Sequence, residues 1–475
     1  MRFLRSGWFL GFTSVIVLVG GWFFWGANWL ADRKWNAYLA EARARGVVFS
    51  WAELVSPLIP KQPSPTGRVF KFMPPDANAG KLLAALPGTS WDSSPSNSDG
   101  RPMGPDWKKF RQELVVRGIQ VNPTVVDDVR AIYEATTFIQ PLVEELIQTP
   151  DFASHFPKLW SEYADTNGVA ELSRAILLLR FAVQLEIARK EAGSAREILI
   201  TLSRLGRTFE SIPTVWKTSW VAVQADGGAV DALWYGLEMG LWSDDVLRMA
   251  GETLLQRNHI RHHRWGLLTD RAHYHESVAG LLKNGQSPAA IFGARIGTPL
   301  DRAVLEARAS RRSWWRENQL WIEGYYDEEI AEFDGDAQRW SPLRPRQFDP
   351  DRLHSNHRRK LELAYQVCSQ WRWIRTEALY QQGQSKMGAL ACALELHRRA
   401  AGKYPETLDR LVPTYLSHLP IDPCGGESFR YGLEKDGNYF LYSIGENLKD
   451  DGGRTQQHQD DTGMPDWRWW APRAK

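Results

Sequence analysis

Cysteine is scarce in this chain. Cys368, Cys392 and Cys424 are the full set, and no two of them form a Cys-x-x-Cys pair. That spacing excludes a zinc knuckle and a thioredoxin-type redox pair. One disulfide would be compatible with an oxidising compartment, but an odd count leaves at least one thiol over, and the sequence does not choose the pair. Net charge is also nearly absent: 58 basic against 56 acidic side chains leave +2. Nucleic-acid affinity is dominated by phosphate neutralisation, so a chain with so little net field is not expected to take a nucleic-acid partner. Catalytic signatures are missing as well. The sequence contains no Gly-x-Ser-x-Gly, Walker or Gly-x-Gly-x-x-Gly motif in a strand–turn–helix setting, and no His-Glu-x-x-His. These absences remove the positive case for any one enzyme class and favour a non-catalytic role.

What is present is the material of a globular protein. With 475 residues, 43% apolar and 24% charged, the chain is long enough for two or three domains and a sizeable core. Tryptophan is abundant, with 23 copies, and most of these are expected to fill helical interiors.

Residues 7–31 carry no charge over 25 positions and include Val15, Ile16, Val17, Leu18, Val19, Trp22, Phe23, Phe24 and Trp25. About 20 residues of helix cross the hydrocarbon layer at 1.5 Å per residue, so this run is expected to span a membrane once. Trp8 lies near one end and Trp25 and Trp29 near the other, at the headgroup level that indoles favour. The run is longer than a signal peptide's apolar region, and no small-x-small cleavage site precedes Asp32, so the anchor is expected to stay uncleaved. The Lys and Arg count, with Arg2 and Arg5 before the run and Arg33, Lys34, Arg43 and Arg45 after it, leans toward a cytoplasmic body.

The expected organisation is four-part. Residues 1–45 form the transmembrane anchor and its helical extension, and 46–106 a Pro- and Ser-rich linker through which no regular element can run. Residues 107–386 form a helical domain, and 387–475 a small α+β module. In the helical part, apolar residues recur every three or four positions: Val125, Val129, Ile132 and Tyr133, then Ile198, Leu202, Leu205 and Phe209. Ser243 followed by Asp244 and Asp245 reads as an N-cap with acids in the first turn. Helices joined by short turns give antiparallel neighbours, so the fold class is mainly α with a helical-hairpin, TPR-like body. No repeat of fixed period is found. A long helix is expected over residues 361–401, stopped by Gly402 with Pro405 beyond it. Residues 427–433 and 438–443 flank a Lys-Asp-Gly turn and predict a β-hairpin.

The tail carries a family resemblance. The helix ending in Gly402-Lys403-Tyr404-Pro405 is followed by Leu411-Val412 and Leu419-Pro420-Ile421-Asp422-Pro423. Then come Tyr442-Ser443-Ile444-Gly445 and Asp450-Asp451-Gly452-Gly453. In that order these elements resemble the major pseudopilin of type II secretion systems, over roughly 80 residues. The whole chain resembles a group of membrane-anchored planctomycete and verrucomicrobial proteins of no established activity that pair a helical middle with this tail. Two features depart from a pseudopilin. About 355 residues separate the membrane run from the tail, and Ile16 stands where prepilins carry the glutamate used in assembly. A filament subunit is therefore not expected. The resemblance implies an extracytoplasmic body on the periplasmic side, which is preferred here over the charge count, and a binding or assembly role with envelope protein partners.

It also implies a calcium loop after the Ser-x-Gly turn. Ser443, Asn447, Asp450, Asp451, Asp460, Asp461 and Asp466 are the expected ligands. Clustered carboxylates in a Gly-containing loop are hard oxygen donors of the kind calcium takes six to eight at a time, and such an ion would be structural. The plain alternative is a solvated acidic turn. A second candidate is His259, His262 and His263, with His273 and His275 beyond. On a helix the first three share a face, so a metal pair for a metal-dependent hydrolase is geometrically possible. The surrounding Arg257, Arg261, Arg264 and Arg271 favour instead an exposed basic helix face. Arg311 and Arg312 beside Trp314 and Trp315 are of a kind to stack on a base or a sugar, and equally to make cation–π packing within the fold, which is the default reading.

Overall fold

The computed structural model describes residues 14, 25–55, 107–116, 121–135, 167–210, 216–285, 299–342, 345–353, 360–455 and 466–472. Most of the expected membrane run, nearly all of the Pro-rich linker, and Asp460 and Asp461 lie outside them. Among the described residues no helix is long and apolar enough to cross a membrane. The architecture is mainly helical, as expected. The helices are α1 (Ala27–Ala44), α2 (Trp51–Val55), α3 (Trp107–Val116), α4 (Val125–Ala135), α5 (Asn167–Ala188), α6 (Ala192–Glu210), α7 (Trp216–Met239), α8 (Asp244–Leu255), α9 (His259–Asn284), α10 (Pro299–Ala309), α11 (Arg312–Ala331) and α12 (Glu362–Ala401). The strands are β1 (Phe333–Asp334), β2 (Arg339–Trp340), β3 (Arg430–Leu433), β4 (Tyr439–Ser443) and β5 (Trp467–Trp470).

Contacts divide the chain into two units that interleave in sequence. The first takes residues 1–57, 267–331 and 343–373; the second takes 58–266, 332–342 and 374–475. Helices α9 and α12 each contribute residues to both.

In the first unit, α1 and α10 pack on α11. Trp314 and Trp315 are buried and meet edge to face at 5.3 Å. Cations lie over other indoles of this unit, Arg316 5.3 Å from the centre of Trp35 and Arg33 5.6 Å from that of Trp29.

In the second unit, α5, α6 and α7 pack on one another. Ile198, Leu199, Leu202, Leu205, Gly206 and Phe209 form the buried stripe of α6, at the spacing an amphipathic helix requires. Ser243 precedes α8 in extended conformation with Asp244 and Asp245 in the first turn. The serine hydroxyl, however, donates to the Asp245 carboxylate rather than accepting from the helix. That bond is the leading cause holding the exposed Asp245 carboxyl below its usual range. From Gln381 to Leu396 every residue of α12 is buried, the mark of a helix enclosed on all sides. Gly402, at φ +76°, ends it.

The expected hairpin is present. Strands β3 and β4 pair antiparallel, Arg430 opposite Tyr442, and Gly437 adopts φ +83° in the turn. Beyond the expectation, β5 pairs antiparallel with β4, Ser443 opposite Trp467, making a three-stranded sheet. Trp467 and Trp469 face inward and lie against Gly383 and Gly388 of α12, where a methyl group would come within 3.3 and 3.4 Å of the indoles. Small residues on the helix thus let the sheet approach it closely. The three cysteines are all buried free thiols, with no disulfide among them.

Candidate functional sites

The first unit fastens α1 along its length. At its start, the Asn28 side-chain oxygen accepts from the backbone N–H of Ser313 at 2.8 Å, which satisfies one of the open donors at the beginning of α11. One turn on, Asp32 lies 2.9 Å from Arg316 and 3.2 Å from Arg312. Further along, the Tyr38 hydroxyl donates to Asp327 at 3.1 Å, and Arg45 pairs with the same carboxylate at 2.9 Å. Arg271 of α9 completes the cluster, 2.6 Å from Glu323 and 3.0 Å from Asp327. Arg271 and Glu323 are 3% and 2% exposed. Burial and the neighbouring Glu323 carboxylate push the Tyr38 phenol well above its usual range, so it stays a neutral donor. His275 stacks on Trp35 at 5.7 Å and lies 4.7 Å from Phe49. Glu276, the acid nearest the histidines in sequence, accepts from the Trp51 backbone N–H at 2.9 Å and so fixes α2.

The second unit contains a buried polar network on which His259, His262 and His263 border. The expectation of an exposed basic face is corrected here: all three histidines are buried, as is Arg257, while Arg261 and Arg264 take the exposed positions. The three rings lie close enough that His259 and His263 both disfavour a charge on His262. His259 Nε2 lies 3.3 Å from Asp226 Oδ2. His262 Nδ1 lies 3.0 Å from the Glu210 carbonyl oxygen, and burial lowers its proton affinity. His263 meets the Phe333 ring at 4.6 Å. Arg257 bridges Asp226 at 2.9 Å and Glu210 at 3.3 Å, and donates to the Ser203 carbonyl. Lys386 donates to the carbonyls of Leu255 and of Arg257, the latter at 2.7 Å, and so caps the end of α8. Gln382 accepts from the His259 backbone N–H at 2.7 Å. Among the described residues no group of three or more His, Cys, Asp or Glu side chains is placed to hold a metal.

The acidic loop of the tail divides its expected ligands. The Ser443 hydroxyl donates to Asp422 at 2.7 Å. Asp450 accepts from Tyr442 at 2.9 Å, from Arg430 at 3.0 Å and from the Gly452 N–H at 3.1 Å. The Asn447 amide donates to Asp451 at 2.8 Å, and its oxygen accepts from the Lys449 N–H at 2.9 Å. Asp466 is 1% exposed; one oxygen accepts from the Gly453 N–H at 2.7 Å, and the other, buried, has no hydrogen-bond partner. Burial is the main reason its carboxyl is raised to about 6, with Asp451 and Asp450 adding repulsion against backbone hydrogen bonds that lower it. An orphaned buried carboxylate oxygen beside a second acid fits a cation. Ser443 and Asp450 are already engaged elsewhere.

Two further residues organise these sites, Asp422 in the tail and Asp226 in α7. Asp422 is 2% exposed and accepts from the Ser443 hydroxyl, the Ile444 N–H at 3.0 Å and the Cys424 N–H at 3.0 Å, tying the Leu-Pro-Ile-Asp-Pro segment to the end of β4. Asp226 lies in Asp-Gly-Gly within the largely buried α7. An acid beside two glycines in a helix interior is a packing signal, because a side chain at Gly228 would strike Arg180. Comparison with protein-family models, with curated proteins and with solved structures found no match.

Proposed function

We propose that this chain is a membrane-tethered cell-envelope protein with a binding or assembly role, its body extracytoplasmic and its tail a pseudopilin-like module. The observation that carries the reading is the clamp on α1. That helix continues the uncharged run of residues 7–31, and Asn28, Asp32, Tyr38 and Arg45 are each bonded to α11. An anchor held at four successive points delivers a fixed body to the bilayer surface, which is what a binding platform needs and a flexible stalk would not provide. The rival hydrolase needs several side chains gathered on one ion, and among the described residues no group of three or more His, Cys, Asp or Glu is placed to hold a metal.

The test is extraction and capture. The full-length chain should stay with vesicles through an alkaline carbonate wash, and protease added outside intact cells with a permeabilised outer membrane should digest the body. Release by carbonate would sink the tether. A body protected on the cytoplasmic side would sink the placement. Cross-linking in the native envelope, followed by purification, should then return partner proteins.

Calcium belongs to the same proposal, as a structural ion held by Asp466 and Asp451 with loop carbonyls. Its chemistry would be charge neutralisation of two close carboxylates. Titration of calcium into the full-length chain should raise its thermal midpoint, and Asp466→Asn should abolish that rise. An unmutated chain indifferent to calcium ends this part of the reading.

A further inference from the structure

Clamping α1 against α11 does more than secure the anchor; it sets a second element at the height where the apolar run ends. Trp25, Trp29 and Leu30 are 77%, 62% and 46% exposed, although all three are large and apolar. They occupy the last turns of the uncharged run, and Asp32 is the first charge after it. Asp32 itself is neutralised between Arg312 and Arg316, so it presents little negative field. Arg33 and Lys34 follow, both exposed, with the Arg33 guanidinium 5.6 Å from the centre of the Trp29 ring. Because Asn28 caps Ser313, the exposed Arg311 and Arg312 reach the same level as the first turns of α1. A bilayer's polar layer adds roughly 5–8 Å beyond its hydrocarbon on each side, and two or three helical residues past Ala31 rise about 3–5 Å. The basic side chains therefore fall within headgroup depth if the apolar run ends at the hydrocarbon edge.

We propose that this end of the first unit is a docking surface for anionic phospholipid headgroups, with Arg33, Lys34 and Arg311 as the contacting charges and Arg312 held on Asp32. The inference rests on the membrane-tether reading and adds lipid charge as what seats the body. Each basic residue near an anionic surface strengthens association on the order of five-fold, and salt screens the effect. Among the described side chains, Glu306 and Glu317 are the exposed acids on α10 and α11, and they oppose it only in part.

The test uses the full-length chain carrying Ser310→Cys with an NBD label, since the native thiols are buried. It is reconstituted into vesicles of phosphatidylcholine alone or of equal phosphatidylcholine and phosphatidylglycerol. NBD emission should be brighter and blue-shifted in the anionic vesicles, return toward the neutral value in high salt, and lose its lipid dependence in Arg33→Gln/Lys34→Gln/Arg311→Gln. That variant leaves Arg312 and Arg316 on Asp32, so the clamp persists. Retention in both vesicle types after carbonate, with emission indifferent to phosphatidylglycerol, overturns the docking surface alone. So does a triple variant that responds like the parent. Release from both vesicle types by carbonate overturns the tether and the docking surface together.

Discussion

Asp226→Asn removes one charge from a site with no access to water. The aspartate is 0% exposed and Arg257 2%. Of the two carboxylates on Arg257, the one at 2.9 Å is lost and the one at 3.3 Å, from Glu210, remains. Breaking one partner of a buried pair costs about 3–5 kcal/mol, because the surviving charge stays desolvated. Against the 5–15 kcal/mol that stabilises an ordinary domain, this is a large fraction. At about 2–4 °C per kcal/mol for a domain of this general size, the thermal midpoint of the second unit should fall by roughly 6–20 °C. The assay is thermal unfolding of the detergent-solubilised full-length chain by far-ultraviolet circular dichroism. Asp226→Asn/Arg257→Met should cost less than the sum of the two single changes, with a coupling of about 1–3 kcal/mol. Additive losses, or a single-mutant loss below about 1 kcal/mol, would refute the claim that the pair is closed to solvent and mutually dependent.

Three further outcomes follow from the same structure. A methyl group at Gly206 would lie 2.1 Å from the Asp226 carboxylate, whereas at the exposed Gly193 of the same helix it meets nothing within 4 Å. Gly206→Ala should therefore destabilise by about 1–3 kcal/mol, and Gly193→Ala should stabilise by about 0.4–1 kcal/mol; matched midpoints in chemical denaturation would contradict this. Burial lowers the Lys386 ammonium to about 8 from 10.5. The unfolded chain thus holds the extra proton between those values, so this residue's contribution is complete above the unfolded value and is lost as pH falls toward the folded one. The stability difference between the parent and Lys386→Met should accordingly shift in the parent's favour from about pH 8 upward; a difference flat with pH would contradict it. Asp422→Ala orphans three donors, from Ser443, Ile444 and Cys424. It should cost about 3 kcal/mol or more, read as faster amide exchange at Ile444, and unchanged exchange would discount the staple.

Elements whose cause is local were legible in the sequence. Ser243 with two acids, Gly402 before Pro405, and the Lys-Asp-Gly turn each determine a helix end or hairpin from a few neighbouring residues, and each stands where expected. Strand β5 was not legible, because Trp-Arg-Trp-Trp follows an acidic stretch and becomes a strand only through pairing with β4, whose partner residues lie 24 positions or more earlier. The histidines were misread for a related reason. Their arginine neighbours suggested a solvated face, yet His259, His262 and His263 continue at helical spacing into Gly266 and Leu267, all buried. Their helical spacing marks an interior stripe, which the neighbouring arginines obscure in the composition.

That misreading explains the character of both candidate sites. A polar residue on a buried stripe must find partners inside the protein, and those partners come from distant sequence: Asp226 for His259, Gln382 for its backbone, Lys386 for the carbonyls after α8. A hydrophobic interior tolerates many packings of similar volume, whereas a donor and acceptor set tolerates few. In the acidic loop one buried carboxylate oxygen of Asp466 is without a hydrogen-bond partner. Both Asp226 oxygens and both His259 ring nitrogens lack one too, but Arg257 and His259 stand 2.9 and 3.3 Å from that carboxylate, whereas the charged neighbours of Asp466 are the acids Asp451 and Asp450. On that contrast the tail loop, rather than the histidine network, is where an ion should be sought.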